Sequence, residues 1–187
     1  MSSSGVPSAR QVLRHKQLQR LLAARVVSNI GNGVAPIALA FGVLALPGAT
    51  ASSLSVVLAA QAIPLIVVLP FGGVIADRLG RARVIAGSDL ILGVLVVAMG
   101  ALFITGTATV PLLAGMSVVA GALNGLWYPA FAGLVPDVVP DEHLQPANAL
   151  VSIGSNAGMI LGSAIGGVLV TVVGAGPAIA LDGCTFI

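Results

Sequence analysis

The chain has 187 residues, of which 8 are Lys or Arg and 6 are Asp or Glu, so 7% of it is charged while 57% is hydrophobic; soluble domains average about 25% charged. So few charges cannot cover a soluble surface of this size, and the same figures exclude a disordered chain. A lone Cys184 excludes a disulfide scaffold, and a net charge of +2 supplies no basic surface for a nucleic-acid partner. The expected surroundings are a lipid bilayer.

Taken in chain order, residues 1–25 read as a basic arm carrying Arg10, Arg14, Lys16, Arg20 and Arg25, and residues 26–187 as a transmembrane bundle. Between Arg25 and Asp77 lie 51 residues without a charge, room for two helical crossings of roughly 20 residues each. Pro47-Gly48 marks the turn between them, which predicts spans over 26–46 and 53–76. Further spans are predicted over 84–104, 111–135 and 147–173, with 105–109 and 174–177 as turns on the far side. The runs do not alternate apolar with polar residues as barrel strands do, so helices are the expected element. Ala49-Thr50-Ala51 after the first apolar run resembles a signal-peptide cleavage site, but that run of about 21 residues exceeds a signal core of about 7 to 15 and another span follows at once. Ten residues follow Pro177, about half a crossing, and include Asp182. They read as a sixth span cut short, with a short interfacial or re-entrant tail as the alternative.

All eight basic residues lie either before the first span or, as Arg78, Arg81 and Arg83, between the second and third. The positive-inside rule then predicts a multi-pass protein of the plasma (inner) membrane with a cytoplasmic N-terminus. Asp77 sits at the C-terminal end of a helix and Arg81 and Arg83 at the start of the next, each disfavoured by its own macrodipole and suited to pair with the other. Gly80 permits the tight turn between them, and Asp137 and Asp89 are further partners within reach of the loop. The simpler alternative is that these charges only fix topology.

Within the spans, polar side chains are costly in lipid and mark a path for a solute or contacts to protein. Asn29, Asn32, Gln61, Asn124, Trp127, Tyr128 and Asn156 are the candidates for a substrate path. For each amide the alternative is a hydrogen bond between helices, worth about 0.6 to 2 kcal/mol. Trp127 and Tyr128 also suit an interfacial aromatic belt, or an aromatic wall for an amphipathic ligand. In the fifth span Gly154, Gly158, Gly162 and Gly166 recur every fourth residue, with Gly167 beside them, a stripe that lets another helix approach closely. His15 and His143 have no companions at metal-ligand spacing, and no phosphate-binding loop or catalytic set is present. No metal, no cofactor and no enzymatic activity are expected.

The run from Gly73 to Val84 contains Gly73, Asp77, Arg78, Gly80, Arg81 and Arg83 at the spacing G-x-x-x-D-R-x-G-R-x-R, and it resembles the cytoplasmic loop motif of the major facilitator superfamily in both pattern and position. Ser28-Asn29-Ile30-Gly31-Asn32, the loop from Leu134 to Leu144 and the start of the fifth span at Ala147 to Leu150 resemble the siderophore- and macrolide-exporting branch of that family, although Asn32 stands where that branch often has an acid. The segment Gly158 to Gly167 resembles the family's antiporter motif, with Ser163 in place of its proline, which weakens the inference to antiport. The resemblance implies the N-terminal six-helix bundle of the major facilitator fold with its sixth span truncated. It implies alternating-access secondary transport of a small-molecule substrate, with efflux of amphipathic molecules as the favoured direction, the loop as a gate latch, and a missing C-terminal half as partner. The competing expectation is a non-transporting membrane scaffold or helix-bundle partner protein.

Overall fold

The computed structural model describes residues 16–138 and 140–186; Arg10, Arg14 and His15 of the basic arm and the final Ile187 lie outside them. The helices are α1 (Lys16–Leu44), α2 (Ala51–Leu79), α3 (Arg81–Ile104), α4 (Val110–Val138), α5 (Leu144–Val173) and α6 (Ala175–Cys184), with a 3-10 turn at Asp141–His143 before α5. Among the described residues there is no strand. Five of the helices are long and apolar enough to cross a membrane, and the protein is an all-α, multi-pass membrane fold.

The five long helices all begin before their expected apolar spans, and α2 and α4 also run past the expected ends into polar residues. Lys16, Arg20 and Arg25 of the expected basic arm are thereby part of α1. Lys, Arg and Gln are good helix formers, so nothing local stops the helix where the charge begins. Other boundaries have local causes. At the start of α2 the Thr50 N–H donates to Ser53 Oγ at 3.2 Å, half of a reciprocal cap. At its end Gly80 takes φ +92°, and its N–H donates to Ala76 O at 2.9 Å. Gly80 alone joins α2 to α3, and Gly174, at φ +86°, alone joins α5 to α6. A side chain is strained at such φ values, so both links need glycine.

Helix pairing has an internal symmetry. The most extensive contacts are α2 with α4, α1 with α5, and α3 with α6. Exchanging α1–α3 for α4–α6 turns the first pair into the second and leaves the third unchanged, and the single-glycine links after α2 and α5 exchange as well. Because three spans separate corresponding helices, the two triplets run in opposite senses through the bundle. This is an inverted repeat in one chain.

Glycines bring the paired backbones together. A Cβ at Gly162 would fall on the Ile30 carbonyl, one at Gly158 would lie 2.8 Å from Val26 O, and one at Gly166 would lie 2.9 Å from Val34 Cα. The α2–α4 pair is built alike: a Cβ at Gly121 would fall on the Gln61 carbonyl, and one at Gly125 would lie 2.9 Å from Leu65 O. Gly154 faces only the Val26 side chain, and Gly167 faces open space.

Buried apolar side chains form three clusters. One, around Val34, Ala38, Val57, Met99, Leu113 and Ile179, lies toward the end of the bundle that carries the α1–α2 and α3–α4 turns. The other two, around Leu18, Val135 and Ala147 and around Ala76, Val84 and Ala130, lie toward the opposite end. The outer faces are apolar and open: Ile160 and Val172 are 70% and 74% exposed, and Ile63, Ile66 and Phe71 of α2 are exposed likewise. A contiguous surface of this kind is stable against lipid and not against water.

Candidate functional site: a polar cavity and an ion-paired loop

Between the apolar clusters, at mid-height of the long helices, is a cavity of about 410 Å³. Asn29 and Asn32 of α1, Gln61 of α2, Asn124 and Tyr128 of α4 and Asn156 of α5 line it. Six of the seven residues singled out for a substrate path are thus gathered at one space. Apolar Leu39, Leu65, Val96, Met99 and Met159 complete the wall, and Pro36 interrupts the hydrogen-bond ladder of α1 where that helix borders it.

Three of the amides are bonded in a way that bears on what they do. Asn29 Nδ2 donates to Arg25 O at 2.7 Å, Asn124 Nδ2 to Ala120 O at 2.9 Å and Asn156 Nδ2 to Ser152 O at 2.8 Å. Every acceptor is the carbonyl four residues earlier in the same helix, so these side chains do not tie helices together. Their side-chain oxygens have no partner among the described residues, which leaves acceptors at the wall of the cavity.

Trp127 is placed differently. It is 7% exposed and does not line the large cavity. Its ring stacks on Phe131 at 4.8 Å between centroids and 8° between planes, and meets Tyr128 edge to face at 5.7 Å. Trp127 borders a small recess beside the cavity, together with Arg25, Ser28, Asn32, Asp89 and Phe186. Asp89, expected within reach of the α2–α3 loop, is therefore on the wall of this recess.

At the loop, Arg81 makes nearly all the contacts. Its Nη2 lies 3.0 Å from Asp77 Oδ1, and its Nε donates to the same oxygen at 3.1 Å. Its Nη1 donates to Gly133 O at 2.5 Å and lies 3.2 Å from Asp137 Oδ2. One guanidinium therefore joins the ends of α2, α3 and α4, a task that needs the planar fork of arginine. A Cβ at Gly133 would lie 2.5 Å from Arg81 Nε, so a glycine there leaves room for the clasp. Gly73 lies beside Pro129, whose Cβ would be 3.8 Å from a Cβ placed on this glycine. Arg78 and Arg83 are exposed, and among the described residues neither forms an ion pair; Asp77 and Asp137 keep 62% and 55% of their side-chain surface open.

Sequence reasoning missed Arg25, Gly121, Gly125, Phe131 and Gly133. For Arg25 a signal existed: Arg25, Asn29, Asn32, Pro36 and Leu39 follow the i, i+4, i+7 spacing of one helix face, and all five line the cavity. Gly121 and Gly125 repeat the four-residue spacing of the α5 stripe. Gly133 has no comparable signal, since its role depends on a contact with a residue 52 positions away.

Two helix triplets paired as an inverted repeat around a polar cavity at mid-height, with an ion-paired loop at one end, form a helix bundle of the kind built into membrane-transporter folds. The sequence profile of the Major Facilitator Superfamily matches residues 21–187, and the chain belongs to that family of transporters. It is 29% identical over 177 residues to the uncharacterized MFS-type transporter YkuC of Bacillus subtilis (strain 168), a match covering 94% of this chain and 40% of that protein. It is 30% identical over 125 residues to the quinolone resistance protein NorA of Staphylococcus aureus (strain MRSA252), covering 67% of this chain and 31% of that one. The chain thus spans 40% or less of the length of these curated relatives.

Proposed function

We propose that the chain forms the N-terminal bundle of a secondary active exporter of small amphipathic molecules, working by alternating access together with a second bundle that closes the cavity from the other side. The observation that carries this reading is the mid-height cavity, where unpartnered amide oxygens and apolar side chains share one wall inside a lipid-facing bundle. An amphipathic solute needs both kinds of contact. The name of NorA, a quinolone resistance protein, supports export as the direction.

In this reading the N-terminus and the α2–α3 loop face the cytoplasm. Arg81 holds the ends of α2, α3 and α4 as one rigid piece, and the exposed edges of Asp77 and Asp137 are left to meet a helix of the second bundle. Breaking and remaking that contact gates the inner mouth, so Asp77, Arg78, Gly80, Arg81, Arg83 and Asp137 form a latch rather than a binding site. The glycines of α5 keep α1 and α5 moving as one body.

The test is export of a fluorescent quinolone from cells of an efflux-deficient host expressing the gene that carries this sequence. Expression should lower steady-state accumulation, and Asp77→Ala should restore it with the same amount of protein in the membrane. Equal accumulation with and without the protein, over a panel of amphipathic dyes as well, would leave a non-transporting scaffold as the better description.

A further inference from the structure

The recess beside the cavity holds a buried N–H donor without an acceptor, Arg25 Nε. Buried donors of this kind are rare in folded proteins and are costly when left unmet. The guanidinium of Arg25 lies 4.4 Å from the centre of the Trp127 ring and 4.7 Å from that of Phe131. Trp127 and Phe131, stacked one turn apart on α4, therefore carry a cation supplied by α1. Stacking occupies the face of a guanidinium and leaves its in-plane donors available, and those donors match a carboxylate in geometry and charge.

Asp89 of α3 lines the same recess, where the Trp127 indole N–H interacts with its carboxylate and the Arg25 charge faces it, but among the described residues no carboxylate lies within 4.0 Å of Arg25. Arg25, Asn32, Asn124 and Tyr128 line both the recess and the large cavity. A charged head group can thus reach Arg25 from a solute whose apolar body lies against Leu39, Val96 and Met159.

We propose that Arg25, braced on Trp127 and Phe131, is a carboxylate-binding site at one end of the cavity, and that the bundle favours amphipathic organic anions over their neutral counterparts. This rests on the cavity being the substrate path. The Arg25 guanidinium donates to the carboxylate from the wall that it shares with the cavity, Trp127 and Phe131 are its aromatic brace, and Asp89 is the internal acid that the ligand replaces as neighbour of the cation. A charge-assisted pair of this kind separates an acid from its amide by about tenfold or more.

The experiment uses the full-length protein and two probes with one body, N-dansyl-leucine and N-dansyl-leucinamide. Binding to purified protein is read from dansyl fluorescence, and transport from uptake into inverted membrane vesicles. The wild type should bind and accumulate the acid in preference to the amide. Arg25→Gln should bring the ratio of acid to amide close to one, Arg25→Lys should restore part of it, and Trp127→Leu, which removes the ring beneath the guanidinium, should lower it. An unchanged ratio in Arg25→Gln, or no saturable binding of N-dansyl-leucine to the wild type, overturns the site. Arg25-dependent binding without vesicle uptake of either probe would instead count against the exporter reading and leave the site standing.

Discussion

Substituting Gly162 tests whether the α1–α5 pair depends on backbone contact. In the structure a Cβ at this position falls on the Ile30 carbonyl oxygen, with the Ile30 C and Cα atoms at 2.8 and 2.9 Å. All three are backbone, so no side chain can turn aside, and the helices must separate along their contact line. Overpacking of a tight contact costs typically about 1–3 kcal/mol, and the upper end applies where the obstacle cannot move. Alanine returns about 0.5–1 kcal/mol through its better helix propensity. The net loss for Gly162→Ala is therefore about 2 kcal/mol, which for a domain of this size corresponds to a fall in Tm of about 4–8 °C. Gly167 is the internal control, because nothing lies within 4 Å of its Cβ position, and Gly167→Ala gains the propensity without the clash. Thermal unfolding of detergent-solubilised protein, followed by size-exclusion chromatography of a fluorescent fusion, should place Gly162→Ala below the wild type and Gly167→Ala level with it or above. Equal melting temperatures for the two variants would refute the reasoning, since they differ in contact and not in chemistry.

Other expectations concern the loop, the cavity and the orientation. Arg81→Lys should lower transport at normal membrane levels, because an ammonium cannot hold Asp77, Asp137 and the Gly133 carbonyl in one plane; Gly133→Ala should do the same by pushing Arg81 aside, and full activity in both would show that the clasp is dispensable. Asn32→Asp places an ionisable group on the wall shared by the cavity and the recess, so the pH dependence of transport should shift from that of the wild type; superimposable profiles would argue that position 32 only packs. For orientation, Arg83→Cys in a Cys184→Ala background should react with a membrane-impermeant maleimide in inverted vesicles and not in intact cells, and the opposite pattern would reverse the topology.

The membrane fold was legible because it rests on composition and spacing. A 51-residue stretch without charge admits few structures other than two helical crossings, and turns such as Pro47-Gly48 divide it. The helix ends were less legible: hydropathy marks where lipid contact ends, whereas α1 continues back to Lys16 because its hydrogen bonds do not depend on lipid. Of the site, the amides were visible as polar residues in apolar runs, but their bonding was not. Whether Asn124 holds a neighbouring helix or its own Ala120 carbonyl depends on which rotamer the packed bundle permits. In the sequence Arg25 is indistinguishable from the other topology-setting cations, because charge near a membrane end already has that explanation. Only its position over two rings of α4 separates it from Arg20.

The inverted repeat adds a constraint that neither the loop nor the cavity supplies alone. The links at Gly80 and Gly174 share a positive φ, +92° and +86°, and they fall at the two opposite ends of the bundle. Their neighbours differ completely: Asp77 and Arg81 flank the first, Val173 and Ala175 the second. A symmetric scaffold therefore carries a charged clasp at one end only. If the triplets rock against a second bundle about the mid-height cavity, an ionic contact is available to hold one mouth shut, while among the described residues the other mouth shows no ion pair and packs Phe103, Ile104 and Val173 around its recess. Ionic contacts weaken with salt and apolar contacts strengthen slightly, so high salt should shift the balance toward opening of the Arg81 end. Accessibility of a cysteine at position 83 to maleimide should then rise with salt in the full-length protein, and rise less in Arg81→Gln, where the clasp is already gone. A salt response of equal size in both proteins would remove the clasp from the account of gating.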